Sequence, residues 1–370
     1  MKILALNNGY LQDVPSGGDK HLLDVVAAWS TVHEVTLVLP DFARPLVRGT
    51  PTVRTIPSRI PRGLADLLWV YACRFFAALR RVREIPADVV VCSPGLFDLL
   101  PARVHAARYG SVTGCYFFHL TPRRKTASRV KRIQYAIARA GQSLSVRLCR
   151  GVDCVFTDNP HAREELAALG ISRDRICLQT PVVNVGSVRR AAPLPAPDIL
   201  LVGRMVQSKG IFDLVEALEP LPYSAGLIGD GEDRARLQET IRARGLSERV
   251  TVYGPLPEDR LYGLMKGCRL FVLPSYEEGY GIAIAEALTA GKPVLAYELP
   301  HYAEAFNGAV LTVPPGDVGA LGRAIHGILS GETDLRPYTD RYPGIVLKDA
   351  AEAARDEWDH LSARLPGSKR

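Results

Sequence analysis

Short apolar runs, most of them closed by a glycine, proline or polar turn residue, recur along the chain and alternate with segments of helical period. In the first half they read KILALNN at the start, HEVTLVLP, DVVVCSP (88–94), VTGCYFFHL (112–120) and DCVFTDN (153–159). After residue 197 the pattern restarts as DILLVGR, SAGLIGD, RVTVYGP, RLFVLPS and PVLAYEL. HLLDVVAAW separates strands in the first half; GIFDLVEAL, EDRARLQETIRARG, PEDRLYGLMKG and IAIAEALTAG do so in the second. Runs that are apolar throughout, rather than alternately polar, are strands buried on both faces, as in a parallel sheet covered by helices. Strand–helix alternation of this kind restricts the chain to the α/β class. At 370 residues it exceeds the roughly 250–300 at which a single core stops growing, so two doubly wound domains are expected.

The segment GSVRRAAPLPAPD (186–198), rich in Pro and Ala and without periodicity, marks the expected boundary. The expected domains are 1–188 and 189–345. DLRPYTDRYPG (334–344) would make a second irregular crossing, and a helix within 346–370 would return to complete the first domain.

Composition excludes several classes. A hydrophobic content of 47% with 23% charged residues is that of a folded globular protein. The seven cysteines include no C-x-x-C pair, which argues against a disulfide framework or a zinc site. Residues 1–9 are too short and wrongly flanked for a signal peptide. No apolar run reaches the roughly 18–20 residues of a membrane span, so a cytoplasmic location is expected. The net charge of +7 is uneven: 101–150 carries eleven Lys and Arg and no acid.

In an open α/β sheet, ligands sit on the loops at the carboxyl ends of the strands, and four such loops carry unusual residues. Ser16-Gly17-Gly18 enters the first helix, where glycines let backbone approach a ligand. Gly203 and Arg204 follow the strand DILLVG, and Lys209 lies five residues on; two cations there suit a diphosphate, the guanidinium as a fork and the ammonium as a point charge. After RLFVLPS comes Tyr276–Gly281, then a helix from Ile282 closed by Gly291. Free amides at Gly281, Ile282 and Ala283 would face an anion. Glu278 and Glu286, eight positions apart, would flank it and accept hydrogen bonds from vicinal sugar hydroxyls. His119 ends the strand VTGCYFFHL; such a histidine is either packed in the core or placed to bond a sugar hydroxyl.

In this order VGRMVQSKGIFDLVEAL, LIGDGEDRARL, VTVYGPLPEDRLYGLMKGCRLFVLPSYEEGYGIAIAEALTAGKPVLA and LTVPPGD resemble the retaining glycosyltransferases of family 4, strongly over 197–330 and more loosely at Gly17-Gly18 and His119. The resemblance implies the GT-B fold, two Rossmann-like domains facing each other across a cleft. It also implies transfer of a hexose, from GDP-mannose or a UDP-hexose, to an acceptor hydroxyl with retention of configuration. By the same resemblance Glu278 and Glu286 hold sugar and ribose hydroxyls. Arg204 and Lys209 hold the diphosphate, aided by backbone near Gly281 and Ile282, and Gly279, Tyr280 and Ala283 belong to the same donor-binding loop and helix start. His119 lies near the sugar, and Gly17 and Gly18 near donor and acceptor. Gly203, Gly229, Pro255 and Leu256 line the nucleotide. No metal or other cofactor is implied, and no D-x-D pair suggests one.

Of two basic stretches, RIPRGLADLLWVYACRFFAALRRVR (59–83) mixes arginine with Trp69, Phe75 and Phe76, and TPRRKTASRVKRIQYAIARA (121–140) adds a basic helix without an acid. They read either as a peripheral surface for an anionic membrane or as solvated helix faces. A nucleic-acid binder would use the same charge, but no recognised motif supports it and no nucleic-acid partner is expected. Another GT-B chemistry, a nucleotide-sugar epimerase or a phosphorylase, is the nearer alternative.

Overall fold

The computed structural model describes residues 1–8, 17–59, 64–118 and 129–367, which fall into two compact units. In the first, Met1–Val182 with Ala350–Arg370, the elements run β1 (Lys2–Leu6), α1 (Gly17–Trp29), β2 (Glu34–Pro40), β3 (Thr52–Ile56), α2 (Leu64–Arg81), β4 (Val89–Cys92), α3 (Leu96–Tyr109), β5 (Val112–Tyr116), α4 (Arg129–Cys149), β6 (Cys154–Thr157), α5 (Pro160–Ala168) and β7 (Ile176–Leu178). The second, Val183–Asp349, contains α6 (Val185–Arg190), β8 (Ile199–Val202), α7 (Ile211–Leu218), β9 (Ala225–Ile228), α8 (Arg234–Ala243), β10 (Val250–Gly254), α9 (Glu258–Gly267), β11 (Leu270–Leu273), α10 (Ile282–Thr289), β12 (Val294–Tyr297), α11 (Tyr302–Ala305), β13 (Leu311–Val313), α12 (Val318–Ser330) and α13 (Arg336–Thr339). The chain then returns to the first unit as α14 (Ala350–Ser362).

Both sheets are parallel throughout, in the orders β3-β2-β1-β4-β5-β6-β7 and β10-β9-β8-β11-β12-β13. The apolar runs are continuous because each face meets its own core. In β1, Ile3 and Ala5 pack with Leu22, Val25 and Trp29 of α1 and Ala353 of α14. Leu4 and Leu6 turn to the opposite face, where Ala78 of α2, Leu99 of α3, Val146 of α4 and Leu166 of α5 share one core. The strands β3, β7 and β13 were not anticipated. β3 is an edge strand of mixed polarity, and β7 and β13 have three residues each, too few for a period to show.

The expected boundary at 188/189 is corrected to 182/183. Val183 and Val188 belong to the second core, and α6 packs against α9 and α10. The Pro/Ala-rich run after α6 is a strap on α9: Leu194 donates its amide to Gly263 O at 2.9 Å, and Lys266 Nζ donates to Arg189 O and Ala191 O at 2.7 Å each. The run 334–344 is likewise internal to the second unit, with Tyr342 Oη donating to Lys292 O at 2.7 Å. The return crossing therefore falls at 349/350 and not at 345/346.

What fixes α14 to the first unit is a buried polar knot. Glu357, fully buried, accepts from His21 Nε2 at 2.6 Å and from the Tyr116 hydroxyl. The amide of Val182 donates to His21 Nδ1 at 3.0 Å, so that nitrogen carries no proton and Nε2 carries the one that bonds Glu357. Trp29 Nε1 adds a bond to Ala354 O at 2.8 Å.

Candidate functional site

In each unit the strand order reverses between the first strand and the fourth, which is where a doubly wound sheet opens a crevice for ligands. In the second unit this point lies between β8 and β11, so the loops 203–209 and 274–281 are neighbours. They are fastened together through Ser208 and Lys209, and the second loop is also tied to α7 through Asp213. Tyr276 donates its amide to Ser208 O at 2.9 Å. Tyr276 Oη donates to Asp213 Oδ2 at 2.6 Å, and Tyr297 Oη to the same oxygen at 2.7 Å. Lys209 Nζ donates to Glu278 Oε1 at 2.6 Å, and Ser275 Oγ to that oxygen at 2.8 Å. Burial, then the bond to Asp213, pushes the Tyr276 hydroxyl up to about 12, so it stays a donor at any physiological pH.

Gly210 makes this closeness possible. Its φ is +65°, and a Cβ there would lie 1.9 Å from Pro274 O. Gly210→Ala is expected to destabilise the second unit through overlap, about 1–3 kcal/mol, on top of about 1–2 kcal/mol for a side chain at positive φ. Urea unfolding measures this; a variant as stable as the native chain would contradict the packing described. Gly229 is constrained in the same way: its φ is +134°, and a Cβ there would lie 2.0 Å from Gly203 O.

The Lys209–Glu278 pair is nearly enclosed, its side chains 14% and 12% exposed. Arg204 is exposed, and its side chain makes no hydrogen bond or ion pair among the described residues. The helix α10 begins beside Glu278. Its N-cap is Gly281 at φ +98°, with no side-chain cap, so among the described residues no side chain competes for the amides of Ile282 and Ala283, which the helix itself leaves unused. An anion placed there would meet amides and the positive end of the helix.

Glu286 sits differently from Glu278. It is 5% exposed, in the second turn of α10, and accepts from Tyr262 Oη of α9 at 2.7 Å. Asn184 Nδ2 donates to Tyr262 Oη at 3.3 Å and to Glu258 Oε1 at 3.1 Å. Tyr280 is turned into the core, its ring edge-on to Phe306 at 5.2 Å, so only its backbone belongs to the loop surface. Pro255 and Leu256 follow β10, exposed and half-buried, and Gly203 and Gly229 are half-buried at the ends of β8 and β9.

The second unit thus gathers Gly203, Arg204, Lys209, Gly229, Pro255, Leu256 and the 278–286 residues at its carboxyl edge. Gly17 and Gly18 belong to the first unit and open α1. A Cβ on Gly18 would lie 2.7 Å from Cδ2 of Phe118, so this glycine serves packing within the unit. His119 and Ser16 lie outside the described residues.

Sequence reasoning missed Ser275, Asp213, Tyr297, Tyr262 and Tyr302. The partners of Asp213, Tyr297 and Tyr262 are distant in the chain, and although Ser275 bonds Glu278 only three residues on, no local pattern announces that bond. Tyr302 is 2% exposed and its hydroxyl has no hydrogen-bond partner among the described residues; burial and the charge of Glu278 keep it protonated. At the switch point of the first unit, between β1 and β4, sequence reasoning singled out the glycine loop after β1 but missed a buried polar cluster. There Asp98 accepts from the Asn8 amide at 2.9 Å and from Ser93 Oγ at 2.7 Å, and buried Arg74 donates to Asn8 O at 3.2 Å. Among the described residues no group of three or more His, Cys, Asp or Glu is placed to hold a metal ion.

Two parallel-sheet α/β units, with cations, an acid and a bare helix N-terminus at a strand-order reversal, define a GT-B protein. The sequence model described as "Glycosyl transferases group 1" matches residues 188–342, and that described as "Glycosyltransferase Family 4" matches 15–185. The chain belongs to the family 4 type of GT-B glycosyltransferases.

A 2-deoxystreptamine N-acetyl-D-glucosaminyltransferase of Streptomyces fradiae is 29% identical over 256 residues, covering 63% of this chain and 60% of that protein. The lipopolysaccharide core biosynthesis glycosyltransferase LpsE of Rhizobium meliloti is 29% identical over 226 residues, covering 59% and 66%. The chain therefore spans under two thirds of these relatives. Among solved structures, Anabaena HepE in complex with UDP and glucose superposes with a TM-score of 0.74 at 16% identity, over 98% of this chain and 100% of that one.

Proposed function

We propose that the chain is a glycosyltransferase moving a hexose from a nucleotide diphosphate to an acceptor hydroxyl, with anomeric configuration retained and no metal required. The observation that carries this reading is the Lys209–Glu278 pair at 2.6 Å beside the uncapped start of α10. In this reading Arg204, Lys209 and the amides of Ile282 and Ala283 take the charge that builds on the departing diphosphate, and Glu278 accepts from the sugar. Such preorganised donors supply much of the rate in reactions that expel an anion. The bond from the anomeric carbon to the diphosphate breaks, a bond to the acceptor oxygen forms on the same face, and the acceptor proton passes to a diphosphate oxygen. No protein nucleophile is assigned. Glu286, held by Tyr262, is the proposed ribose contact, and His119, Gly17 and Gly18 are the proposed contributors from the first unit.

For the donor we favour a UDP-hexose or UDP-N-acetylhexosamine over GDP-mannose, supported by the names of the relatives. The acceptor is proposed to be a hydroxyl of a glycan, glycolipid or aglycone, with the enzyme acting in the cytoplasm and its basic first unit meeting an anionic membrane face.

Thermal denaturation with UDP-glucose, UDP-N-acetylglucosamine and GDP-mannose tests the reading. A donor at a hundred times its dissociation constant stabilises by about 2.7 kcal/mol, a shift of several degrees that Lys209→Ala should lose. No shift with any nucleotide sugar, or an undiminished shift in the variant, would overturn it.

A further inference from the structure

The helix α2 presents two large aromatic side chains to solvent for which the fold has no use. Val70, Arg74 and Ala78 define its buried side, continued by Val82 just past its end, and Tyr71 stacks on Phe97 of α3 at 5.2 Å. Trp69 and Phe76 point the other way, 69% and 67% exposed. Seven residues apart, they lie two turns along one stripe, roughly 10 Å from each other. Arg80, whose side chain is 83% exposed, continues the same stripe, and exposed Arg83 follows in the turn just past the helix.

The surroundings are basic. α3 packs on α2 and α4 packs on α3, and all three cover the same face of the sheet. On α4 the exposed side chains include Leu144 and Arg147. The acids near the stripe are already engaged: Glu84 with Arg80 and Arg81, Asp66 with Arg59.

We propose that this outer face of α2 docks on an anionic lipid bilayer, with Trp69 and Phe76 entering the headgroup boundary and Arg80 and Arg83 on lipid phosphates. The inference deepens the membrane contact proposed for the basic first unit and is independent of the transfer chemistry. Charge decides the occupant. In a two-fold contact with a second copy the same patch faces itself, setting these arginines against one another, whereas a phosphate-bearing surface complements them. Aromatic rings beside arginine are the composition of helices that lie in the membrane interface. No helix among the described residues is long and apolar enough to cross a membrane, so the contact is peripheral.

The test is sedimentation of the whole chain with vesicles of phosphatidylcholine, with and without about one-third phosphatidylglycerol. Binding is expected to the anionic vesicles only and to be released by about 0.5 M salt, since surface attraction is screened within a few ångströms there. Trp29 is buried and Trp358 half-buried, so a blue shift in tryptophan emission on binding should vanish in Trp69→Phe. The double variant Trp69→Ser/Phe76→Ser should lose at least tenfold in partition while nucleotide-sugar binding is unchanged. Arg80→Glu/Arg83→Glu, which leaves the apolar residues in place, should lose a similar amount. Equal binding to neutral vesicles, no binding to either kind, or undiminished binding by both double variants would overturn the proposal. So would a dimer that the serine variant dissolves without any vesicle dependence. Loss of donor binding in Lys209→Ala with vesicle binding intact would leave it standing.

Discussion

Lys209→Ala is expected to lower kcat/KM for sugar transfer by about 10²–10³, the usual loss when one preorganised stabiliser of a leaving anion is removed. The same change has a structural cost. It leaves Glu278, 12% exposed, with the Ser275 hydroxyl but without its cation. Breaking a fully buried pair by deleting one partner costs about 3–5 kcal/mol; the residual exposure here and the remaining Ser275 bond bring the loss below that range. The two effects separate in a double variant. Lys209→Met with Glu278→Leu removes both charges and is expected to recover stability relative to either single change while activity stays lost. Steady-state kinetics with a responsive donor, beside urea unfolding of all four proteins, gives both numbers. Native turnover in Lys209→Ala would remove the lysine from the chemistry, and recovery of turnover in the double variant would reduce the pair to a structural clasp.

The second large effect is expected far from that site. Glu357→Ala should destabilise the first unit by about 3–5 kcal/mol, because it strands the Nε2 proton of His21 and the hydroxyl of Tyr116 in a fully buried place. Glu357→Gln keeps an acceptor for His21, and the Tyr116 hydroxyl can turn to accept from the new amide, so it should lose less than half as much. Since the knot holds α14 against α1, the alanine variant should also expose the segment after 349 to limited proteolysis before the rest of the chain. If both variants unfold at the native urea concentration, the knot contributes nothing and apolar packing alone retains α14.

Much of the fold was legible because parallel strands covered on both faces must be apolar at every position, which leaves a signal in ten short runs of sequence. The loops that follow them were legible for the same reason, since each begins where the apolar run stops. Glu278, Lys209 and Gly281 could be singled out because a carboxylate, an ammonium and a glycine are unusual at the end of a buried strand. Edge strands gave no such signal. The boundary was misplaced because a proline-rich run resembles a linker whether it is free or, as here, strapped to α9 by Leu194 and by Lys266.

The sequence by itself determined the class of fold, the residues at the carboxyl edge of the second sheet and the bare start of α10, since each depends on local composition and period. Tertiary structure alone decided that Lys209 would meet Glu278, that Asp213 would bind two tyrosines and that Glu357 would close on His21. Those bonds join residues 69, 63 or 84, and 336 positions apart, and hydrogen bonding acts only over about 3 Å, so nothing short of the folded chain can bring the partners within range.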